Sequence, residues 1–183
     1  VAWCVLLPGT VGMENTSCTT QTALTLHDER AHLDFSSDPL VAHELAHQWF
    51  GDLVTCKDWS HAWLNESFAT YFEALYKEHD MGVDEFMYEL YQNAEAYFDE
   101  DKDRYRRPLV TRNYKNTNDL FDRHLYEKGS LILHMLRNVL GDSAFWASMN
   151  QYLRRHKTQN VETPDLINAI QDATGKNLRW FFD

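Results

Sequence analysis

A chain of 183 residues is long enough for one domain with a substantial core and too short for two of ordinary size. Its 44% apolar and 14% aromatic content excludes an intrinsically disordered chain. A formal charge of -11 at pH 7 disfavours polyanionic partners, so no nucleic-acid partner is expected.

In chain order, residues 1–30 read as a small β portion, with "VAWCVLLP" and "TTQTALTL" as short strands on either side of "GTVGMENTS". The opening stretch has no initiating Met, no basic n-region and too little apolar length for a signal peptide or a membrane span, so the chain is expected to be a piece of something longer. Residues 31–183 read as mainly helical. Asp38-Pro39 marks a helix start, an N-cap side chain followed by proline, and Leu40, Val41, Leu45, Phe50 and Leu53 recur at helical spacing with Gly51 in the last turn. A second helix is expected from near Asn65, with Phe68, Phe72 and Leu75 as its apolar stripe and Met81-Gly82 as its end. Further helices are expected over 83–98, over 128–140 with Gly141 after it, over 143–156 behind Asp142 and over 164–173 behind Thr163. The intervening "DEDKDRYRRPLVTRNYKNTND" is polar and turn-rich, as a surface loop would be. The fold class expected is therefore α+β, mostly α, in a single domain over 1–183. Cys4, Cys18 and Cys56 show no CxxC spacing, which points to neither a disulfide framework nor a cysteine zinc site and suggests a reducing, cytoplasmic setting.

Within the first helix lies His43-Glu44-Leu45-Ala46-His47. Residues four apart share a helix face, so both imidazoles can aim at one point about 2.0–2.1 Å from each, as a zinc site requires. Glu44 can reach the same point from the side and hold a water without ligating. The competing reading is a pair of ordinary polar residues on a solvated face, since nine histidines raise the chance of an accidental HExxH. Two histidines leave a catalytic zinc one protein ligand short. Glu66, separated from His47 by eighteen residues, supplies a carboxylate at the start of the next helix.

His43, Glu44, His47 and Glu66 at this spacing resemble the signature of the gluzincin metalloaminopeptidases related to membrane alanyl aminopeptidase. "WLNES" is similar to that family's WLNEG, with Ser67 in place of the commoner glycine. Gly12-Met13-Glu14-Asn15 resembles its GxMEN motif, and Tyr126-Glu127-Lys128-Gly129 its YxKG segment. The resemblance implies a thermolysin-like (zincin) fold and one Zn2+ held by His43, His47 and Glu66. It implies Glu44 as general base, Tyr126 as the catalytic hydrogen-bond donor, and Glu14, Gly12 and Met13 as binding residues for a peptide with a free N-terminus. The activity implied is hydrolysis of the N-terminal peptide bond through a zinc-activated water. Val11 stands where the family usually has glycine, which puts altered contacts to the substrate backbone in view.

The resemblance also implies a β-rich domain before this one and a helical domain after it, both outside these 183 residues, so low or no activity is expected of the isolated stretch. Metal-bound histidines need an outer partner on the second ring nitrogen, for which Thr70 and Glu73 are suitably spaced. His27, His32, His61, His79, His124, His134 and His156 fall in no ligand pattern and read as surface or core histidines. Two other readings stay open: a zinc endopeptidase, which needs the zinc site but not Glu14, and a non-catalytic module that keeps the fold. The sequence sets no oligomeric state.

Overall fold

In a computed structural model that describes residues 2–6 and 12–183, the β portion is a three-stranded sheet. Its strands are β1 (Ala2–Leu6), β2 (Gly12–Met13) and β3 (Cys18–Thr22), in the order β1-β3-β2, with β1 parallel and β2 antiparallel to β3. The β2–β3 reversal is closed by the Cys18 N–H donating to the Asn15 carbonyl at 2.9 Å, with Ser17 at a left-handed φ of 62°. "TALTL" does not extend the third strand. It turns into a short 3-10 segment at Ala23–Thr25, whose first turn the Thr22 hydroxyl caps. Val11 lies outside the described residues, so the expectation attached to it finds no counterpart here.

Helix α1 (Asp38–Ala46) starts at the Asp-Pro pair as expected, but stops seven residues before Leu53. The apolar residues that continued the helical spacing belong instead to a turn. Gly51 adopts φ 142°, the Asp52 N–H donates to the His47 carbonyl at 2.9 Å, and the Gly51 N–H donates to the Val54 carbonyl at 2.9 Å. Phe50 and Val54 are thereby buried on the far side of that turn, whereas Leu45 is exposed. Strand β4 (Val54–Cys56) follows and pairs in parallel with β5 (Gln159–Val161), about a hundred residues on. Neither strand was expected, because three residues are too few for a period-2 pattern to register.

Helix α2 (Trp63–Asp80) is the central element, packed against α1, α3 (Val83–Asp103) and α4 (Gly129–Leu140). Its buried face carries Trp63, Leu64, Phe68, Ala69, Tyr71 and Ala74, and Phe68 stacks on Phe50 with ring centroids 4.2 Å apart. The chain leaves it through Met81 and Gly82, the latter at φ 99°. Helix α3 overruns its expected end by five residues because its last turn is anchored at Glu100, which accepts from the Arg123 N–H at 2.7 Å and from Arg104 at 3.0 Å. Helices α5 (Asp142–Arg155) and α6 (Thr163–Thr174) pack on each other, and the short α7 (Arg179–Phe182) closes the chain. Phe145, Tyr152, Val161, Leu166 and Ile170 join the α2 and α4 side chains in one core. No helix among the described residues is long and apolar enough to cross a membrane.

Ahead of α4 the structure has a π-helical turn, His124–Lys128, of which only Lys128 was expected to be helical. Such turns are rare and cluster at functional sites. This one is fastened to α2: the Ser67 hydroxyl donates to the Leu125 carbonyl at 2.6 Å, and a Cβ on Gly129 would run into the Ser67 side chain. Lys128 reaches back to the Arg107 carbonyl at 2.7 Å, and Arg107 pairs with Asp122 at 2.6 Å, so the polar loop is tied to the same turn. Gly129→Ala is expected to overpack this contact and destabilise the chain by about 1–3 kcal/mol. Thermal unfolding checks it: an unchanged melting temperature would show that the close approach of α2 to the turn is not required.

Candidate metal centre

The last turn of α1 carries His43, and His47 stands at its C-cap, with its N–H donating to the His43 carbonyl at 3.2 Å. One turn into α2, Glu66 faces them. The Nε2 atoms of His43 and His47 lie 3.1 Å apart, and Glu66 Oε2 lies 3.5 Å from the first and 3.3 Å from the second. Three donors bound at about 2.0–2.1 Å with tetrahedral angles would stand roughly 3.3–3.4 Å from one another. Two nitrogens and one carboxylate oxygen at these separations fit zinc without rearrangement.

The outer nitrogens are fixed as well. His47 Nδ1 donates to the Phe50 carbonyl at 2.9 Å, which sets its tautomer and leaves Nε2 free to accept a metal. His43 Nδ1 meets Glu73 Oε1 at 2.5 Å. Of the two residues expected to play this outer part, Glu73 is in place, whereas the Thr70 hydroxyl bonds back to the Glu66 carbonyl of its own helix at 3.0 Å. Burial pulls the His43 imidazole pKa down, but hydrogen bonds and charge from Glu66 and Glu73 outweigh it and carry it up to about 10. Burial pushes the Glu66 carboxyl up, and its bonds to His43 and His47 reverse this to about 2. His47 is likewise raised by Glu66 against the pull of burial. The pocket therefore stabilises positive charge at the point where the three donors meet.

Glu44 is buried beside this point. Burial pushes its carboxyl up to about 7 against the opposing charges of His43 and His47, which places its proton exchange near neutral pH. Glu14, just past β2, can bring an oxygen within 4.8 Å of ligand atoms of Glu44 and His47. Gly12 passes so close to Glu44 that a Cβ there would strike the carboxylate, and Met13 is exposed on the wall of the cleft. From the opposite side the π-helical turn presents Tyr126, whose ring centroid is 6.1 Å from that of His43. Burial, then the charges of Glu66, Glu14 and Glu44, raise the Tyr126 phenol, so it keeps its proton and can donate. All eight site residues named from the sequence line one cleft of about 960 Å³.

Sequence reasoning missed Gln48. Its amide donates to the Glu14 carbonyl at 3.1 Å and to Asp52 at 3.0 Å, and its oxygen accepts from the Ser17 N–H at 2.8 Å, tying the segment after β2 to the end of α1. Adjacency to the HExxH pair was its only signal. Asn65 was also missed; it accepts from the Cys56 N–H at 3.1 Å and couples β4 to α2. The remaining histidines stay out of the centre. His61 bonds Thr163, and His134 bonds Tyr71. His124 is fully buried, with neither ring nitrogen hydrogen-bonded to a described residue.

The sequence profile described as "Peptidase family M1 domain" matches residues 4–183. The chain belongs to that family. It is 37% identical over 143 residues to the alanine/arginine aminopeptidase of Saccharomyces cerevisiae, covering 76% of this chain and 17% of that protein. It is 39% identical over 146 residues to aminopeptidase N of Lactobacillus delbrueckii subsp. lactis, again covering 76% of this chain and 17% of the relative. Among solved structures, the M1 zinc metallopeptidase of Deinococcus radiodurans superposes with a TM-score of 0.77 at 29% identity, covering 99% of this chain and 38% of that one. This M1 chain thus spans about a sixth of the length of its curated relatives.

Gln48→Ala is expected to leave the Ser17 N–H without its acceptor and loosen the turn after β2. At about 1 kcal/mol per lost bond, amide exchange at Ser17 should quicken roughly fivefold while α2 amides stay unchanged. Hydrogen exchange read residue by residue checks it; equal protection in both proteins would free Gln48 of this role.

Proposed function

We propose that this chain is the catalytic part of a zinc aminopeptidase that removes the N-terminal residue from peptides. One observation carries the proposal: the nitrogens of His43 and His47 and the Glu66 oxygen converge at 3.1–3.5 Å in a cleft where Glu44 and Glu14, not needed for ligation, stand close to His47. The names of its relatives agree with it, and one Deinococcus radiodurans structure of the family is described as bound to a Tyr-Ser-Ala substrate.

His43, His47 and Glu66 would hold one Zn2+, which supplies Lewis acidity for activating water and polarising a carbonyl. The rest is the work of side chains. Glu44 takes a proton from the attacking water on its carboxylate and returns it to the departing amine, a task suited to a carboxyl that burial brings near neutral pKa. Tyr126 donates from its hydroxyl to the oxygen that gains negative charge as the carbonyl carbon becomes tetrahedral. Glu14 pairs with the substrate ammonium, a charge-assisted contact that a blocked amine cannot make. Since the strand order leaves β2 at the sheet edge, Gly12 and Met13 offer backbone groups along which a peptide can lie extended.

The zinc-loaded protein at its full natural length should cleave an aminoacyl chromogenic amide and fail on the N-acetylated form; equal turnover of both would favour an endopeptidase and remove Glu14 from its role. Glu44→Gln should lower kcat by about 10²–10⁴ with zinc content unchanged. Glu73→Ala should weaken zinc binding about 10–100-fold in competition with a chelating dye, because His43 loses its outer partner; undiminished affinity would refute that role.

A further inference from the structure

We infer that Arg123, at the start of the π-helical turn, binds a carboxylate that the substrate carries beyond the scissile bond. A peptide with an anionic group there, whether its own C-terminus or an acidic side chain, is then preferred over its neutral counterpart. The inference rests on the aminopeptidase reading, because that reading places the substrate amine at Glu14.

The charges of the cleft single this residue out. Of the described residues that line it, six are glutamates, and Arg123 is the one arginine or lysine. Six carboxylates disfavour an anion along these walls except where a cation stands. Arg123 lies in none of the motifs that carry the family resemblance.

Two arginines flank the turn, and they are used in opposite ways. Arg107, with a side chain only 11% exposed, commits its guanidinium to Asp122 and to the carbonyls of Pro108, Leu109 and Leu120. Arg123 is fixed at its base, where its N–H donates to Glu100 Oε2 at 2.7 Å, and open at its tip, where Nη1 alone bonds a described residue, Glu127. That pair is lopsided: the Glu127 side chain is 10% exposed against 56% for Arg123, so its positive member is what a ligand meets. A guanidinium carries five N–H donors in a planar fork. With Nη1 taken, the edge formed by Nε and Nη2 still offers two parallel donors, the arrangement that a carboxylate accepts with both oxygens.

The position of Arg123 sets which part of the substrate it meets. Glu14, the partner of the amine, gathers with Glu44 and His47. Arg123 holds Glu127, which feels the charge of Glu73, the outer partner of His43. Tyr126, on the same turn, also stands beside His43. The amine anchor and the guanidinium thus belong to different flanks of the donor set, and a peptide that begins at one and crosses the zinc donors approaches the other with the residues that follow the scissile bond.

The test compares kcat/KM of the zinc-loaded protein at its full natural length on two pairs of peptides: Ala-Ala-Ala against its C-terminal amide, and the amide of Ala-Glu-Ala against that of Ala-Gln-Ala. The first pair reads a C-terminal carboxylate and the second an acidic side chain. In at least one pair the acid should exceed its neutral partner by about fivefold at low salt, the scale of one exposed charge pair. In about 1 M salt that ratio should fall toward one, because exposed charges are screened. Arg123→Gln should bring the ratio near one, Arg123→Lys should keep part of it, and Arg123→Glu should invert it. Each ratio is taken within one protein, so a general loss of activity cancels; if a variant fails to fold, the ratios of the natural protein and their salt dependence still decide. Calorimetric binding of the same peptides to the zinc-loaded Glu44→Gln protein should give the same order of affinity without turnover. Ratios near one in both pairs, or a preference that Arg123→Glu leaves in place, overturn the inference. If alanine p-nitroanilide is cleaved only with a free amine while both ratios are flat, this inference alone falls; if it resists cleavage, the aminopeptidase reading falls and this inference with it.

Discussion

Burying charge is expensive unless each charge finds an opposite partner, and the contact between α1 and α2 is where this chain meets that constraint. His43, His47 and Glu66 converge there with Glu73 behind them and Glu44 beside them. Removing water from any one of these groups alone would force it neutral; together, the carboxylates hold positive charge on the imidazoles and the imidazoles hold Glu66 ionised. A divalent cation answers the same electrostatic demand in a more compact way, and the separations of the three donors suit it.

The rest of the chain holds the other candidate groups around that contact. Glu44 leaves so little space beside it that only a glycine fits at position 12, which draws the β2 segment and Glu14 onto the end of α1, where Gln48 ties the backbone down. On the other side, Ser67 follows the candidate ligand Glu66 directly and bonds the Leu125 carbonyl, one residue before Tyr126. A single hydrogen bond thus joins the helix of a zinc-ligand candidate to the turn of a hydrogen-bond donor. The Ser67 hydroxyl makes that tie, and Gly129 makes room for it.

Glu14 and buried Glu44 gather beside His47, whereas Glu73 and Tyr126 stand beside His43. The two flanks of the donor set therefore differ: two carboxylates gather at His47, whereas a carboxylate and a phenol stand at His43. That asymmetry is a property of which helix faces meet, not of any one motif.

The two histidines and Glu44 were legible in the sequence because an i, i+4 relation is a local geometric fact of the helix, and the helix starts at Asp38-Pro39 and Thr163-Pro164 were legible because caps and prolines act within one turn. Motif spacing brought Glu66, Glu14 and Tyr126 into the same reading by resemblance. The early end of α1 was not legible because the apolar spacing runs on through the turn at Gly51 that ends it. The β4–β5 pairing and the π-helical turn were not legible, because each depends on partners far away in sequence: Val161 for Cys56, Ser67 for Leu125. The same holds for Gln48, whose meaning comes from what it touches. Local periodicity specifies which residue types share a face; which faces come together, at what distance, and which buried atoms are left unpaired are set by packing across the whole chain, and no window of sequence contains that information.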